Sequence, residues 1–297
     1  MWARHLLLLS MSKIKVALLQ LKAEKNPAKN HAHALAQVRS AAKCGAQIIC
    51  LQELYRSLYF CQTEQHKFFE LAESANGASV DDFRELARSE EVAIVVPFFE
   101  RRAEGVYHNS AAVIDAGGEL LGIYRKMHIP DDPNFYEKFY FAPGDLGFRV
   151  FQTRFARIGV LICWDQWYPE AARLTALQGA QILVYPTAIG WHDSDRKAAP
   201  EQMRAWETIQ RSHSVANGVY VAAANRVGRE GKLNFWGRSF VSGPMGSVLA
   251  QAAEKREEIL LADCDLAKIE SVRQHWPFLR DRRIDAYHPI TSRFLDA

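Results

Sequence analysis

The sequence predicts an α/β fold with two β-sheets, each covered by helices on its outer face. Short apolar runs, rich in β-branched residues, alternate with stretches whose apolar residues recur at helical spacing. The alternation occurs in both halves of the chain, and no low-complexity linker or change in composition separates the halves. The 297 residues are 48% hydrophobic, which is enough for a sizeable core. We therefore predict one domain over residues 13–297, preceded by an extension over residues 1–12 that is disordered or an alternative start.

The first half of the chain begins with a β-α-β pattern. Strands are predicted at residues 14–21, 47–51, 92–99, 107–115 and 119–126. An amphipathic helix that ends near Gly45 separates the first two of these strands. Ser79 is the predicted N-cap of a second helix, with Asp82 at the capping-box position. The Gly-rich turn at residues 116–118 predicts that the last two strands form a hairpin.

The second half is organised around an apolar strand that begins at Phe155 and ends at Cys163. Pro169 stands where the first turn of the following helix would begin. Further strands are predicted at residues 181–186, 219–224, 235–241, 247–251 and 257–263, and further helices at residues 200–217 and 266–273. These elements continue the alternation of strand and helix that the first half shows.

Charge and cysteine content exclude several classes of partner. The net charge of +3 is small and evenly spread, and no motif of a nucleic-acid-binding module is present, so we expect no nucleic acid partner. The five cysteines include no CxxC pair, which argues against a zinc site or a disulfide framework and favours a reducing, cytoplasmic location. The apolar run at residues 6–9 is too short for a signal peptide, and we expect no membrane span.

Three predicted strands end in reactive side chains, namely Glu53, Lys126 and Cys163. The ends of strands meet at one rim of an α/β sheet, so these three side chains could lie close together. Cys163 also precedes a predicted helix, and the unpaired N–H groups at a helix N-terminus favour a thiolate over a thiol. Attack of a thiol on an amide needs a base, a fixed cation or N–H group for the oxyanion, and an acid for the departing ammonia. Taken singly, the cysteine is more typical of a buried hydrophobe and the two charges are more typical of a solvated surface, and spacing alone leaves their convergence open.

Three longer motifs decide between these interpretations. They are Leu51-Gln52-Glu53, Tyr124-Arg125-Lys126-Met127-His128 and Gly159-Val160-Leu161-Ile162-Cys163-Trp164-Asp165. With them, the chain from Lys13 onward resembles the nitrilase superfamily of carbon–nitrogen hydrolases. The resemblance implies a four-layer α-β-β-α sandwich, a homo-oligomer (a dimer or larger), a small-molecule substrate, and no cofactor or metal.

The resemblance also implies a role for each site residue. Cys163 is the implied nucleophile and Glu53 the general base. Lys126 and the backbone N–H of Trp164 would stabilise the oxyanion of the tetrahedral intermediate. A second glutamate of the family corresponds to Glu137, within residues 137–145, and would orient the site and assist proton transfer.

The cysteine and the residues that follow it, 163–170, resemble one branch of the superfamily, as do residues 125–130, 137–141 and 276–283. That branch hydrolyses N-carbamoylputrescine to putrescine, carbon dioxide and ammonia. Its cationic substrate needs aromatic faces or carboxylates. Candidates for holding the amine are Tyr59, Trp164, Trp191, Asp193 and Asp195, each of which is also compatible with packing or a solvated loop. The alternatives are hydrolysis of another ω-amide or carbamoyl compound, such as a β-ureido acid, and a non-catalytic assembly protein.

Overall fold

The structure, a computed structural model, describes residues 13–295, so the predicted extension over residues 1–12 lies outside the described residues. Two six-stranded sheets form its centre. In chain order, their strands are β1 (Lys13–Gln20), β2 (Ile48–Leu51), β3 (Ala93–Ala103), β4 (Val106–Ile114), β5 (Leu120–Arg125), β8 (Val150–Gln152), β9 (Arg157–Val160), β10 (Ile182–Thr187), β12 (Tyr220–Asn225), β15 (Phe240–Ser242), β16 (Val248–Gln251) and β17 (Glu258–Asp265). The first sheet has the strand order β17-β1-β2-β3-β4-β5 and the second sheet has the order β16-β15-β12-β10-β9-β8.

Five α-helices accompany the sheets in the described part of the chain. They are α1 (Pro27–Lys43), α2 (Ala78–Glu90), α3 (Pro169–Leu177), α4 (Ala199–Asn217) and α5 (Ala267–His275). Strand β1 shows how the layers are built, because alternate residues of a strand face opposite sides. Val16 and Leu18 belong to the cluster between the two sheets, whereas Ala17 and Leu19 pack under the first two helices. The predicted four-layer α-β-β-α sandwich is confirmed.

Three local predictions are wrong. The single strand predicted over residues 235–241 is divided into two, Leu233–Trp236 and Phe240–Ser242, because Gly237 and Arg238 between them have left-handed φ angles of 64° and 54°. The second helix begins at Ala78 with Gly77 as its N-cap, so Ser79 lies inside the first turn. The carboxylate of Glu73 accepts hydrogen bonds from the Ser79 N–H at 3.2 Å and from its hydroxyl at 2.9 Å, which satisfies one of the unpaired N–H groups in the first turn and engages the hydroxyl expected to act as the cap. The strand expected to reach Cys163 ends at Val160.

Two small sheets lie outside the sandwich and help to form the site. One is a hairpin of β6 (Asp131–Asp132) and β7 (Phe135–Tyr136). The other contains β11 (Gly190–His192), β13 (Val227–Glu230) and β14 (Leu233–Trp236), in the order β11-β14-β13. Both carry side chains that reach the cavity described below.

Candidate active site

Cys163 opens a short 3₁₀ turn, Cys163–Trp167, between strand β9 and helix α3. Its φ angle is 43°, a left-handed conformation that non-glycine residues rarely adopt. The side chain is buried, with only 5% exposed. A strained backbone of this kind persists only where surrounding contacts impose it, and such positions cluster at functional sites.

Asp165 supplies those contacts. Its buried carboxylate accepts hydrogen bonds from the Ile162 N–H at 2.9 Å, the Tyr124 hydroxyl at 2.7 Å and the His128 N–H at 3.0 Å. Tyr124 and His128 flank Lys126 in the chain. Asp165 therefore joins the turn that carries Cys163, which follows strand β9 of the second sheet, to the residues at the end of strand β5 in the first sheet.

Lys126 lies between two glutamates. Its Nζ is 2.8 Å from Glu53 Oε1 and 2.7 Å from Glu137 Oε2, and all three side chains are buried. Burial alone would lower the pKa of Lys126, but the carboxylates of Glu137 and Glu53 outweigh it and hold that pKa well above its usual value. The contacts with the two carboxylates therefore favour the charged form of Lys126 although the side chain is buried.

Glu53 and Glu137 have different hydrogen-bond partners besides Lys126. Asn109 donates to Glu53 Oε1 at 2.7 Å, and Tyr59 donates its hydroxyl hydrogen to Glu137 Oε1 at 2.7 Å. Glu53 Oε2 is buried and has no hydrogen-bond partner among the described residues. An unpartnered buried carboxylate oxygen is unusual and is free to accept a proton. Asn109 is not among the site residues predicted from the sequence, although a polar residue within a predicted apolar strand is a signal of a functional position.

Cys163 is within electrostatic range of the same groups. Burial, followed by the negative charge of Glu53, raises the pKa of Cys163 well above its usual value, while Lys126 acts in the opposite direction. The predicted thiolate is therefore wrong for this arrangement, which holds the thiol. The physical reason is that α3 begins six residues after the cysteine, so no α-helix N-terminus offsets the cost of burying the charge.

A cavity of about 650 Å³ opens onto Cys163 and Glu137. Its walls carry aromatic side chains from several elements, namely Phe135, Trp164, Trp167, Trp191 and Trp236. Asp132 of the β6–β7 hairpin and Asp195 are its acidic residues besides Glu137, and none of the described residues that line it is Lys or Arg. The cavity therefore combines aromatic walls with two exposed carboxylates, those of Asp132 and Asp195.

The structure brings three of the five predicted amine-binding residues to this cavity, namely Trp164, Trp191 and Asp195. Tyr59 is instead 1% exposed and packs between Phe135 and Phe235 behind Glu137. The carboxylate of Asp193 accepts hydrogen bonds from Arg229 Nη2 at 2.5 Å and from Asn234 Nδ2 at 2.9 Å. Its carboxylate is thus already paired outside the cavity, and Tyr59 and Asp193 do not line it.

Comparison with known proteins identifies a family with these features. The family model described as carbon-nitrogen hydrolase matches residues 15–274. The chain belongs to the carbon–nitrogen hydrolase family. An N-carbamoylputrescine amidase of Arabidopsis thaliana is 46% identical over 288 residues, which are 94% of this chain and 95% of the relative. A citrullinase of Francisella tularensis is 40% identical over 293 residues, covering 96% of this chain and all of the relative.

A solved structure agrees with the family assignment. The crystal structure of a carbon-nitrogen hydrolase from Helicobacter pylori G27 superposes with a TM-score of 0.92 at 47% identity, covering 95% of this chain and 100% of that one. The predicted superfamily and amidohydrolase class are thereby confirmed. No helix within residues 13–295 of this carbon–nitrogen hydrolase is long and apolar enough to cross a membrane.

Proposed function

We propose that this carbon–nitrogen hydrolase converts N-carbamoylputrescine to putrescine, carbon dioxide and ammonia through a thioester on Cys163. The relative from Arabidopsis thaliana, with 46% identity over almost the whole chain, supports this substrate. The observation that carries the proposal is the cavity itself, because it presents Asp132 and Asp195 but neither Lys nor Arg among its described lining residues. A substrate with a primary ammonium at one end suits such a cavity, whereas an anion does not.

In the first half of the reaction, Glu53 Oε2 takes the thiol proton as Cys163 attacks the ureido carbon. The oxyanion that forms lies against Lys126 Nζ and the backbone N–H of Trp164, which stabilise developing negative charge. The tetrahedral intermediate then breaks its carbon–nitrogen bond to the terminal amide. The proton held by Glu53 leaves with that nitrogen as ammonia, and a carbamoyl thioester stays on the sulfur.

In the second half, Glu53 removes a proton from a water molecule that attacks the thioester carbon. The carbon–sulfur bond breaks, the thiol regains its proton, and the released carbamic acid divides into carbon dioxide and putrescine. Burial raises the pKa of Glu137, with Lys126 acting in the opposite direction. Glu137 orients the Lys126 ammonium through its 2.7 Å contact and assists these proton transfers.

The two alternatives have weaker support. A β-ureido acid would need a cation for its carboxylate, and the described cavity walls carry no Lys or Arg. An assembly protein without activity would not need the buried cluster of Glu53, Lys126 and Glu137, since burying charges is costly and apolar side chains of similar volume are often no less stable.

An ammonia-release assay tests the proposal. It compares N-carbamoylputrescine with citrulline, β-ureidopropionate, N-carbamoyl amino acids, simple amides and nitriles, and we expect the highest kcat/KM for N-carbamoylputrescine. A higher kcat/KM for an anionic or zwitterionic urea would overturn the substrate. Full ammonia release by a Cys163→Ala variant would overturn the thioester mechanism itself.

We also propose a homo-oligomer in a cytoplasmic, reducing environment. All five cysteines are free, which supports the location. Helix α3 and the C-terminal segment expose many large apolar side chains, namely Leu174, Leu177, Trp276, Phe278, Ile284, Tyr287, Ile290, Phe294 and Leu295. Exposed apolar surface of this extent is typical of an interface. Light scattering after size-exclusion chromatography should give a mass of two or more chains, and a monomer at micromolar concentration would contradict it.

A further inference from the structure

Arg226 and Glu230 form a buried ion pair behind the catalytic cluster. Arg226 follows strand β12, Glu230 ends strand β13, and their side chains are 0% and 2% exposed. Arg226 Nη1 lies 2.8 and 2.9 Å from the two carboxylate oxygens of Glu230. Removing two charges from water is costly, and a hydrophobic pair of similar volume is often no less stable. Stability alone therefore does not explain why a charged pair is buried at this position.

The guanidinium of Arg226 holds the backbone that carries Glu53. Its Nη2 donates to the carbonyl oxygens of Glu53 at 3.1 Å and Leu54 at 2.7 Å, and its Nη1 donates to that of Ser57 at 3.0 Å. Leu54 has a φ angle of 49°, so the chain leaves strand β2 in a left-handed turn that strains a non-glycine residue. Arg226 comes from the second sheet and Glu53 from the first, and the contact fixes one relative to the other.

The carboxylate of Glu230 continues this network to the second glutamate. Its Oε2 accepts the backbone N–H of Tyr59 at 2.6 Å. The hydroxyl of Tyr59 in turn donates to Glu137 Oε1 at 2.7 Å. One buried ion pair is therefore connected to both carboxylates that flank Lys126, to Glu53 through its own backbone and to Glu137 through Tyr59.

From these contacts we infer that Arg226 and Glu230 are positioning residues that set Glu53 and Glu137 at their working distances from Cys163 and Lys126. The inference rests on the proposed roles of the two glutamates. It also explains why the residue is arginine, because a planar guanidinium donates in several fixed directions at once and a lysine ammonium does not. A residue that only stabilised the fold would not need to reach three carbonyl oxygens of a single turn.

The test is the Arg226→Lys variant, which keeps the charge balance of the pair. The first measurement is the rate constant for alkylation of Cys163 by iodoacetamide, followed by mass spectrometry of the Cys163 peptide so that Cys44 does not interfere. The second is kcat and KM for ammonia release. Displacing a catalytic group by about 1 Å costs up to about 100-fold, so we expect both kcat and the alkylation rate to fall about 10- to 100-fold. KM should stay within about twofold, because substrate binding is untouched.

Two reference variants make the result specific. Glu53→Gln defines the alkylation rate without a base, and Arg238→Lys changes an arginine that pairs with Glu207 and Glu254 away from the cluster. Arg238→Lys should react at the wild-type rate. Wild-type alkylation and kcat in a folded Arg226→Lys protein would overturn the positioning role. Alkylation of Glu53→Gln at or above the wild-type rate would instead overturn Glu53 as the base, and with it the inference.

A second variant covers the case in which Arg226→Lys does not fold. The double substitution Arg226→Gln with Glu230→Gln removes both charges together and leaves no unpaired ion in the interior. It should show the same loss of alkylation rate and kcat, and wild-type values in this folded variant would equally overturn the positioning role. The alkylation measurement is independent of the substrate, so it separates a failure of this inference from an error about N-carbamoylputrescine.

Discussion

Lys126 Nζ lies 2.8 Å from Glu53 Oε1, and neither side chain is exposed to solvent. One residue follows the hairpin strand β5 and the other follows β2, and 73 positions of the chain separate them. Glu137 completes the arrangement from a third direction, at 2.7 Å from the same nitrogen. A cation placed between two carboxylates offsets part of the cost of removing charged groups from water, which an unpaired buried charge would bear in full.

Replacing Lys126 with methionine should therefore destabilise the protein. The substitution keeps most of the volume but leaves two buried carboxylates facing each other. We expect the free energy of unfolding to fall by about 3–5 kcal/mol in urea denaturation at pH 7. Lys138→Met, which removes an exposed lysine of the neighbouring 3₁₀ turn, should change it by less than about 0.5 kcal/mol. Equal effects of the two substitutions would contradict this account of the cluster.

Asp132 and Asp195 should determine the affinity for the substrate amine. Exposed charge pairs contribute modestly, so Asp132→Asn and Asp195→Asn should each raise KM for N-carbamoylputrescine about two- to fivefold with kcat unchanged. Asp193→Asn is the matched control, since Arg229 and Asn234 already hold that carboxylate outside the cavity. Steady-state kinetics of the three variants check the prediction. It fails if the Asp132 and Asp195 double variant keeps the wild-type KM.

Asp165 should matter for both stability and rate. In Asp165→Asn, an amide NH₂ group replaces one of the two acceptor oxygens. This NH₂ group then faces the backbone N–H of either Ile162 or His128, so two donors are opposed and no hydrogen bond forms between them. A buried donor left unsatisfied costs about 1–3 kcal/mol, and the turn that holds Cys163 at its left-handed angle loosens. Urea denaturation and kcat should both show the loss. Tyr124→Phe removes a single hydrogen bond to the same carboxylate and should have the smaller effect, so the reverse order would count against this role.

Buried thiols should make the protein sensitive to alkali. Burial raises the pKa of Cys264 from 9.0 to about 12. The unfolded chain releases this proton from about pH 9 upward while the folded chain retains it, so rising pH favours unfolding. The stabilisation is complete below pH 9 and is lost progressively towards pH 12, at up to about 1.4 kcal/mol per pH unit for one thiol.

The measurement is the pH dependence of the free energy of unfolding between pH 8 and the alkaline range. Cys264→Ala should make that dependence shallower by the contribution of one thiol. Cys44→Ala should leave it unchanged, because Cys44 is exposed in the folded protein. An identical slope in the wild type and in Cys264→Ala would show that the buried thiol does not cause the effect.

Much of the fold was predictable because strands and helices have different hydrophobic periods. The strands around Leu18, Ile49 and Val184 were recognised from their apolar runs, and all three residues are fully buried. The boundaries of these elements follow less directly from the local sequence. The start of helix α2 depended on Glu73, a residue outside the helix whose carboxylate serves Ser79, and local patterns do not show such contacts.

For the site, the motifs alone identify the reactive side chains, because Glu53, Lys126 and Cys163 each lie within a long motif. How these side chains are held depends on the packing of the two sheets. Asn109, Asp132 and the Arg226–Glu230 pair come from segments that no local pattern connects. The ionisation of Cys163 was likewise decided by burial rather than by its place after a strand. Periodicity specifies which residues share a face of one element, whereas distance and desolvation between groups on different sheets arise only when the sheets pack.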